Sequence, residues 1–106
     1  MTALAFDVGG TKLAASTVGD NGIPLAPLSV PTPTTGVWDA AATLLRHAAG
    51  DQEITAVGIA SAGPIDTTAG TVAPVNIAEW AAGFALVDGV QALFPSARIR
   101  LVVDGA

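Results

Sequence analysis

Ala3-Leu4-Ala5-Phe6-Asp7-Val8-Gly9-Gly10-Thr11-Lys12 runs from a short apolar stretch into a carboxylate, two glycines, a hydroxyl and an ammonium. The apolar stretch, Ala3 to Val8, reads as a strand. Gly9-Gly10 reads as a hairpin turn, where a positive φ is cheap for glycine. Lys12 to Val18, rich in small and β-branched residues, reads as the second strand. The turn between them has the chemistry of a loop facing phosphate and its metal ion. Lys12 is the chain's one lysine, in a sequence with only 12% charged residues.

Working outward, Gly19-Asp20-Asn21-Gly22 is dense in turn formers. Ile23 to Val30 is expected to be a third strand. Pro24 and Pro27 each remove a backbone donor, which confines that strand to a sheet edge. A helix is expected from Val37 to Ala49, with Trp38, Ala41, Ala42, Leu45, Ala48 and Ala49 on its apolar face. Asp39 in its first turn and Arg46 and His47 near its last suit the helix dipole. Gly50 is a good stop residue. Ile54 to Ala60, nearly all apolar, reads as a buried parallel strand with Gly58 as its weak point. Ser61 to Ala82 reads as a long loop holding a short hairpin around Gly70. Such loops inside small domains are usually functional or disordered. Phe84 to Phe94 is expected as a second helix closed by Pro95, and Arg98 to Val103 as a fifth strand.

The order β-β-β-α-β-α-β, an antiparallel meander followed by parallel units, predicts an α/β domain of the ribonuclease H-like (actin-like ATPase) arrangement with a mixed five-stranded sheet. In that arrangement strands one, four and five lie parallel and side by side. Their carboxyl ends open at one edge, where α/β proteins bind ligands. Asp7 to Gly10, Ser61 to Asp66 and Asp104 are thereby expected to converge.

Composition bounds the function classes. The 106 residues suffice for one domain with a modest core. Hydrophobic residues make up 51%, yet no apolar run approaches the roughly 20 residues of a membrane span. The low charge admits two readings: a surface covered by another lobe or subunit, or a biased, alanine-rich composition. The net charge is −5 and the four basic residues are dispersed, so no nucleic-acid footprint is expected. With no cysteine there is neither a disulfide framework nor a thiol nucleophile. No basic-then-apolar leader opens the chain, and a cytoplasmic location is the default expectation.

Four segments in order resemble the ROK family of sugar kinases and related repressors. They are FDVGGTKLAAS at residues 6–16, GIASAGPID at 58–66, APVNIAEWAAGFAL at 73–86 and LVVDGA at 101–106. The resemblance covers the whole chain. It implies a bilobed enzyme of which residues 1–106 form the N-terminal actin-like lobe. The second lobe would carry another glycine-rich phosphate loop and a structural zinc site. The expected activity is ATP- and Mg-dependent phosphoryl transfer to a hexose hydroxyl, glucokinase-like, with these residues inactive on their own. The alternative is a non-catalytic sugar-binding regulator of the ROK repressor type. The expected partner is a small-molecule sugar, together with a homo-oligomer formed through the exposed interlobe face.

Each candidate residue has a plainer structural reading beside its functional one. The resemblance places Asp7 near the metal-bound phosphates, holding Mg through water; otherwise it is a turn-forming aspartate. Gly9 and Gly10 let backbone N–H groups approach phosphate, and both also suit an ordinary hairpin. Thr11 can donate its hydroxyl to phosphate or be a plain strand residue. Lys12 can neutralise phosphate charge or stand solvated. Asp104 is implied as the general base, or caps the strand before Gly105. The family usually has asparagine just before that aspartate; this chain has Val103, which cannot hydrogen-bond a sugar through its side chain. Asn76 and Gly63, the latter within the Ser61–Pro64 turn, are candidates for sugar contact. Pro64 and Asp66 read as structural, His47 as a surface residue, and Trp38 and Trp80 as anchors.

Overall fold

The computed structural model describes residues 2–19 and 21–103. Strands β1 (Thr2–Val8) and β2 (Lys12–Val18) form an antiparallel hairpin, and β3 (Leu28–Pro31) adds to the outer side of β2. Helix α1 (Val37–Ala49) leads to β4 (Ile54–Ser61), which lies parallel to β1. The short strands β5 (Ile65–Asp66) and β6 (Thr71–Val72) form a separate two-stranded sheet. A 3₁₀ turn at Ala78–Trp80 precedes helix α2 (Leu86–Leu93), and β7 (Arg98–Val103) pairs parallel to β4. The large sheet reads β3-β2-β1-β4-β7. This is the mixed five-stranded sheet expected from the element order.

The alternation of a strand decides which face carries the core. Leu4, Phe6 and Val8 of β1, Leu13 of β2 and Val57 and Ile59 of β4 are all buried. They share one core cluster with Val37, Ala41, Leu44 and Leu45 of α1 and Leu86 and Val90 of α2. Each of the Val, Leu, Ile and Phe side chains among them contributes about 1.5–3 kcal/mol when fully buried. The alternate residues line the opposite face. Ala5, Ala14, Gly58 and Ala60 floor an open concavity of about 500 Å³ there. A Cβ added at Gly58 would meet nothing within 4 Å.

Local expectations failed in four informative places. The third strand is four residues long instead of running from Ile23. Residues 23–27 are held on β2 by single contacts, Leu25 N–H to Thr17 O at 2.9 Å and Ala26 N–H to the Ser16 hydroxyl at 3.2 Å. With Pro24 and Pro27 lacking donors, no ladder can form there. Its place at the sheet edge is as expected. The second helix begins at Leu86, because Phe84 exchanges both backbone bonds with Val72 and is thereby held extended. Its far end is closed by the Gln91 amide, which donates to Phe94 O and Ala97 O at 3.0 and 2.9 Å. On α1, Leu44 and Val37 belong to the buried face, while Trp38 is only half-buried. Gly9 and Gly10 do not use the left-handed region. Among the described residues, positive φ occurs only at Gly22, Gly36, Gly50, Gly70 and Gly83.

The expected long loop is well knit. Gly70 takes φ +71 in the β5–β6 turn, where a Cβ would come within 2.8 Å of the Val87 side chain. Asp66 Oδ1 accepts from the N–H groups of Thr68 and Ala69, both at 3.0 Å, which makes its structural role concrete. Trp80 is buried and stacks on Phe84 at a centroid distance of 4.4 Å. His47 is exposed near the end of α1. No helix among the described residues is long and apolar enough to cross a membrane.

Candidate functional site

The carboxyl ends of the parallel strands assemble the site. Val8 pairs with Ser61, and Ser61 with Val103, so β1, β4 and β7 finish level. Ala62 N–H extends the ladder by donating to Val8 O at 3.1 Å. Gly63 follows directly, joined to Pro64 by a cis peptide bond. The turns after β1 and β4 thus lie side by side. Asp104, the expected base, lies outside the described residues.

Asp7 is the next-to-last residue of β1, exposed, with Ala14 and Ala60 as its cross-strand partners. Both neighbours are small, so no bulky side chain stands beside it on either strand. Lys12 is exposed two residues before Ala14 on β2, hence on the same sheet face as Asp7. Thr11 is exposed at the tip of the turn. Among the described residues no group of three or more His, Cys, Asp or Glu is placed to hold a metal ion. A carboxylate of this kind fits the chemistry of Mg²⁺, which is usually bound through one or two carboxylates and keeps several waters.

The turn between β1 and β2 is braced from outside. Gly9 N–H donates to Lys12 O at 3.1 Å. Thr32, just past β3, donates its N–H to Thr11 O at 3.0 Å and its hydroxyl to Gly9 O at 2.7 Å. The sequence marked Thr32 only as loop. Its one signal is a hydroxyl beside an edge strand, too common to decide anything. Thr32→Val keeps the side-chain shape and removes the hydroxyl. Stability is expected to fall by about 1 kcal/mol, read from the denaturant midpoint, and an unchanged midpoint would mean the brace is idle.

Gly10 explains itself through a neighbour 66 positions away. A Cβ on Gly10 would lie 2.5 Å from Asn76 Cβ, a distance real atoms do not reach. Asn76, exposed after the buried Pro74, therefore packs against the turn. The structure brings a phosphate-turn candidate and a sugar-contact candidate into contact. At Gly9 a Cβ would lie 3.2 Å from Lys12 O, a milder restriction.

Sequence and structure comparisons carry the same signal. The family model described as "ROK family" matches residues 3–98. A glucokinase of Streptomyces coelicolor is 42% identical over 71 residues, which cover 65% of this chain and 22% of that protein. The chain thus spans about a fifth of the length of the curated relatives it matches. Among solved structures, a ROK family glucokinase from Streptomyces griseus in complex with glucose and AMPPNP superposes with a TM-score of 0.77 at 31% identity. That match covers 97% of this chain and 32% of the other. The ROK hexokinase of Thermus thermophilus gives a TM-score of 0.77 at 26% identity, covering 98% and 35%. These neighbours share the actin-like ATPase fold, and the family model spans nearly the whole sequence: the chain belongs to the ROK family.

Proposed function

We propose that residues 1–106 are the N-terminal lobe of an ATP-dependent sugar kinase that transfers a phosphoryl group to a hexose hydroxyl. The observation that carries this is the contact of Gly10 with Asn76 at the carboxyl end of β1, beside the exposed Asp7. A phosphate-facing turn and a polar amide then share one edge of the sheet. The glucose and AMPPNP bound by the Streptomyces griseus relative support sugar and nucleotide as the ligand classes.

In this proposal the backbone N–H of Gly10 and the Thr11 hydroxyl bind phosphate oxygens, with Lys12 adding positive charge, while Gly9, whose N–H is spent on Lys12 O, lets the chain pass close to the phosphates. Asp7 would hold magnesium through water, an ion that would supply positive charge against that of the phosphates. Asn76 and the backbone at Gly63 orient the sugar. Asp104 accepts the proton of the attacking hydroxyl. Phosphoryl transfer also needs water excluded from a closed site, so residues 1–106 alone are expected to give no turnover. The zinc site of the family resemblance would belong to a second lobe.

Phosphorylation of a panel of hexoses by the complete protein, followed by a coupled nucleotide assay, tests the proposal. ATP-dependent turnover is the expected result. Sugar binding in a calorimetric titration with no turnover on any hexose would replace the kinase by a sugar-binding regulator, the role that Val103 keeps open.

A further inference from the structure

Helix α1 lacks a cap of its own. Its N-cap position is Gly36, at φ 67, with no side chain to accept the free N–H groups of the first turn. The acceptor comes from far along the chain. The Glu79 carboxylate takes Gly36 N–H on Oε2 at 2.9 Å and Val37 N–H on Oε1 at 2.8 Å. Both oxygens are engaged, one per donor, and the negative charge sits at the positive end of the helix.

Glu79 is three residues from Asn76. The segment between them is anchored by Ile77 and Trp80, both buried. Apolar contacts of this kind fix how deep a segment sits, but they are not directional. Two charge-assisted hydrogen bonds to one carboxylate are directional and fix where along the sheet edge the segment lies. That position matters at Asn76, whose Cβ leaves no room for a further carbon at Gly10. A shift of a few tenths of an ångström would open or close that contact. The same helix start is joined to the segment by aromatic packing, Trp38 lying 5.6 Å from Phe84 and Phe84 stacked on Trp80. A Cβ on Gly89 would reach within 2.9 Å of the Trp38 ring, so α2 closes over the same corner.

We infer that Glu79 is a positioning residue that, by capping α1, holds Asn76 against the phosphate turn in register to meet the sugar. The inference rests on the proposed role of Asn76 as a sugar contact. Glu79 touches no ligand in this scheme, and its effect on the sugar passes through Asn76.

The test uses the complete protein and four variants: Glu79→Ala, Glu79→Gln, Asn76→Ala and the double Asn76→Ala/Glu79→Ala. Sugar KM, ATP KM and kcat are measured well below each variant's unfolding midpoint. Glu79→Ala is expected to raise the sugar KM by roughly ten- to a hundredfold, the scale of a small misplacement, with the ATP KM little changed. Glu79→Gln keeps the size and one good acceptor oxygen, so it should recover much of the loss and guards against an alanine variant that fails to fold. The double variant should bind sugar no worse than Asn76→Ala alone, because a residue acting through Asn76 has nothing left to position. An additive double variant, or a Glu79→Ala variant whose midpoint falls while its sugar KM stays put, overturns the positioning role and leaves a cap alone. An unchanged sugar KM in Asn76→Ala overturns the sugar contact itself and the inference with it.

Discussion

Gly10→Ala is expected to lower kcat/KM for sugar phosphorylation by about a hundredfold or more in the complete protein. The added carbon would lie 2.5 Å from Asn76 Cβ, and neither side yields easily. The turn is held by Thr32 and by its own Gly9–Lys12 bond, while Asn76 sits between the buried Pro74 and Ile77. Relief must displace the Gly10 N–H or the Asn76 amide, and each displacement removes an interaction that the proposed reaction uses. Overpacking of this kind also costs about 1–3 kcal/mol of stability. Two companion variants separate the effects. Gly58→Ala adds its carbon where nothing lies within 4 Å, so it should be near neutral in both activity and stability. Gly10→Ala/Asn76→Gly removes the clash but not the functional loss, so stability should return while activity does not. Full activity in Gly10→Ala would remove the site from this edge of the sheet.

Asp104→Asn is expected to lower kcat by about a hundred- to ten-thousandfold, the usual contribution of a positioned proton acceptor. The amide has the same size as the carboxylate and cannot take the proton. Sugar affinity should therefore be nearly preserved, and a calorimetric titration with glucose beside the kinetic assay checks this. Retention of wild-type kcat would exclude Asp104 as the base. The neighbouring position sharpens the expectation. Valine at 103 withholds the side-chain hydrogen bond that the resemblance leads one to expect there. Sugar binding should thus lean more heavily on Asn76 than it would with asparagine at 103.

The large features were legible because they are local. A short apolar run gave β1, small and β-branched residues gave β2, the period of α1 gave its helix, and a nearly all-apolar run gave β4 its buried, parallel place. The prolines placed the third strand at the edge, though not its length: a proline's missing donor is visible in sequence, whereas the single contacts holding Leu25 and Ala26 are not. At Gly9-Gly10 the hairpin was read correctly and the positive φ wrongly. Glycine serves either an unusual φ or a close approach, and one sequence cannot tell which. Here the approach is by Asn76, far away in the chain. Thr32 and Glu79 escaped notice for the same cause, since their partners lie 23 and 43 positions away. The parallel, side-by-side placement of β1, β4 and β7, by contrast, followed from the element order.

The borrowed cap on α1 also orders events in time. The helix closes its own far end, where Gly50 N–H reaches Arg46 O within a single turn. Its near end is completed only by Glu79, across a chain separation of 42 residues from Val37. Closing so long a span carries an entropic cost that grows with its length, whereas a local turn forms almost at once. Helix α1 is therefore expected to complete its C-terminal end before its N-terminal cap. Its first turn has a local bond of its own, Ala40 N–H to Gly36 O, but the two N–H groups capped by Glu79 are expected to gain protection later than the far end, which pulse-labelled hydrogen exchange would read. On that expectation the Glu79 cap, proposed to position Asn76, forms late and is released early by local opening.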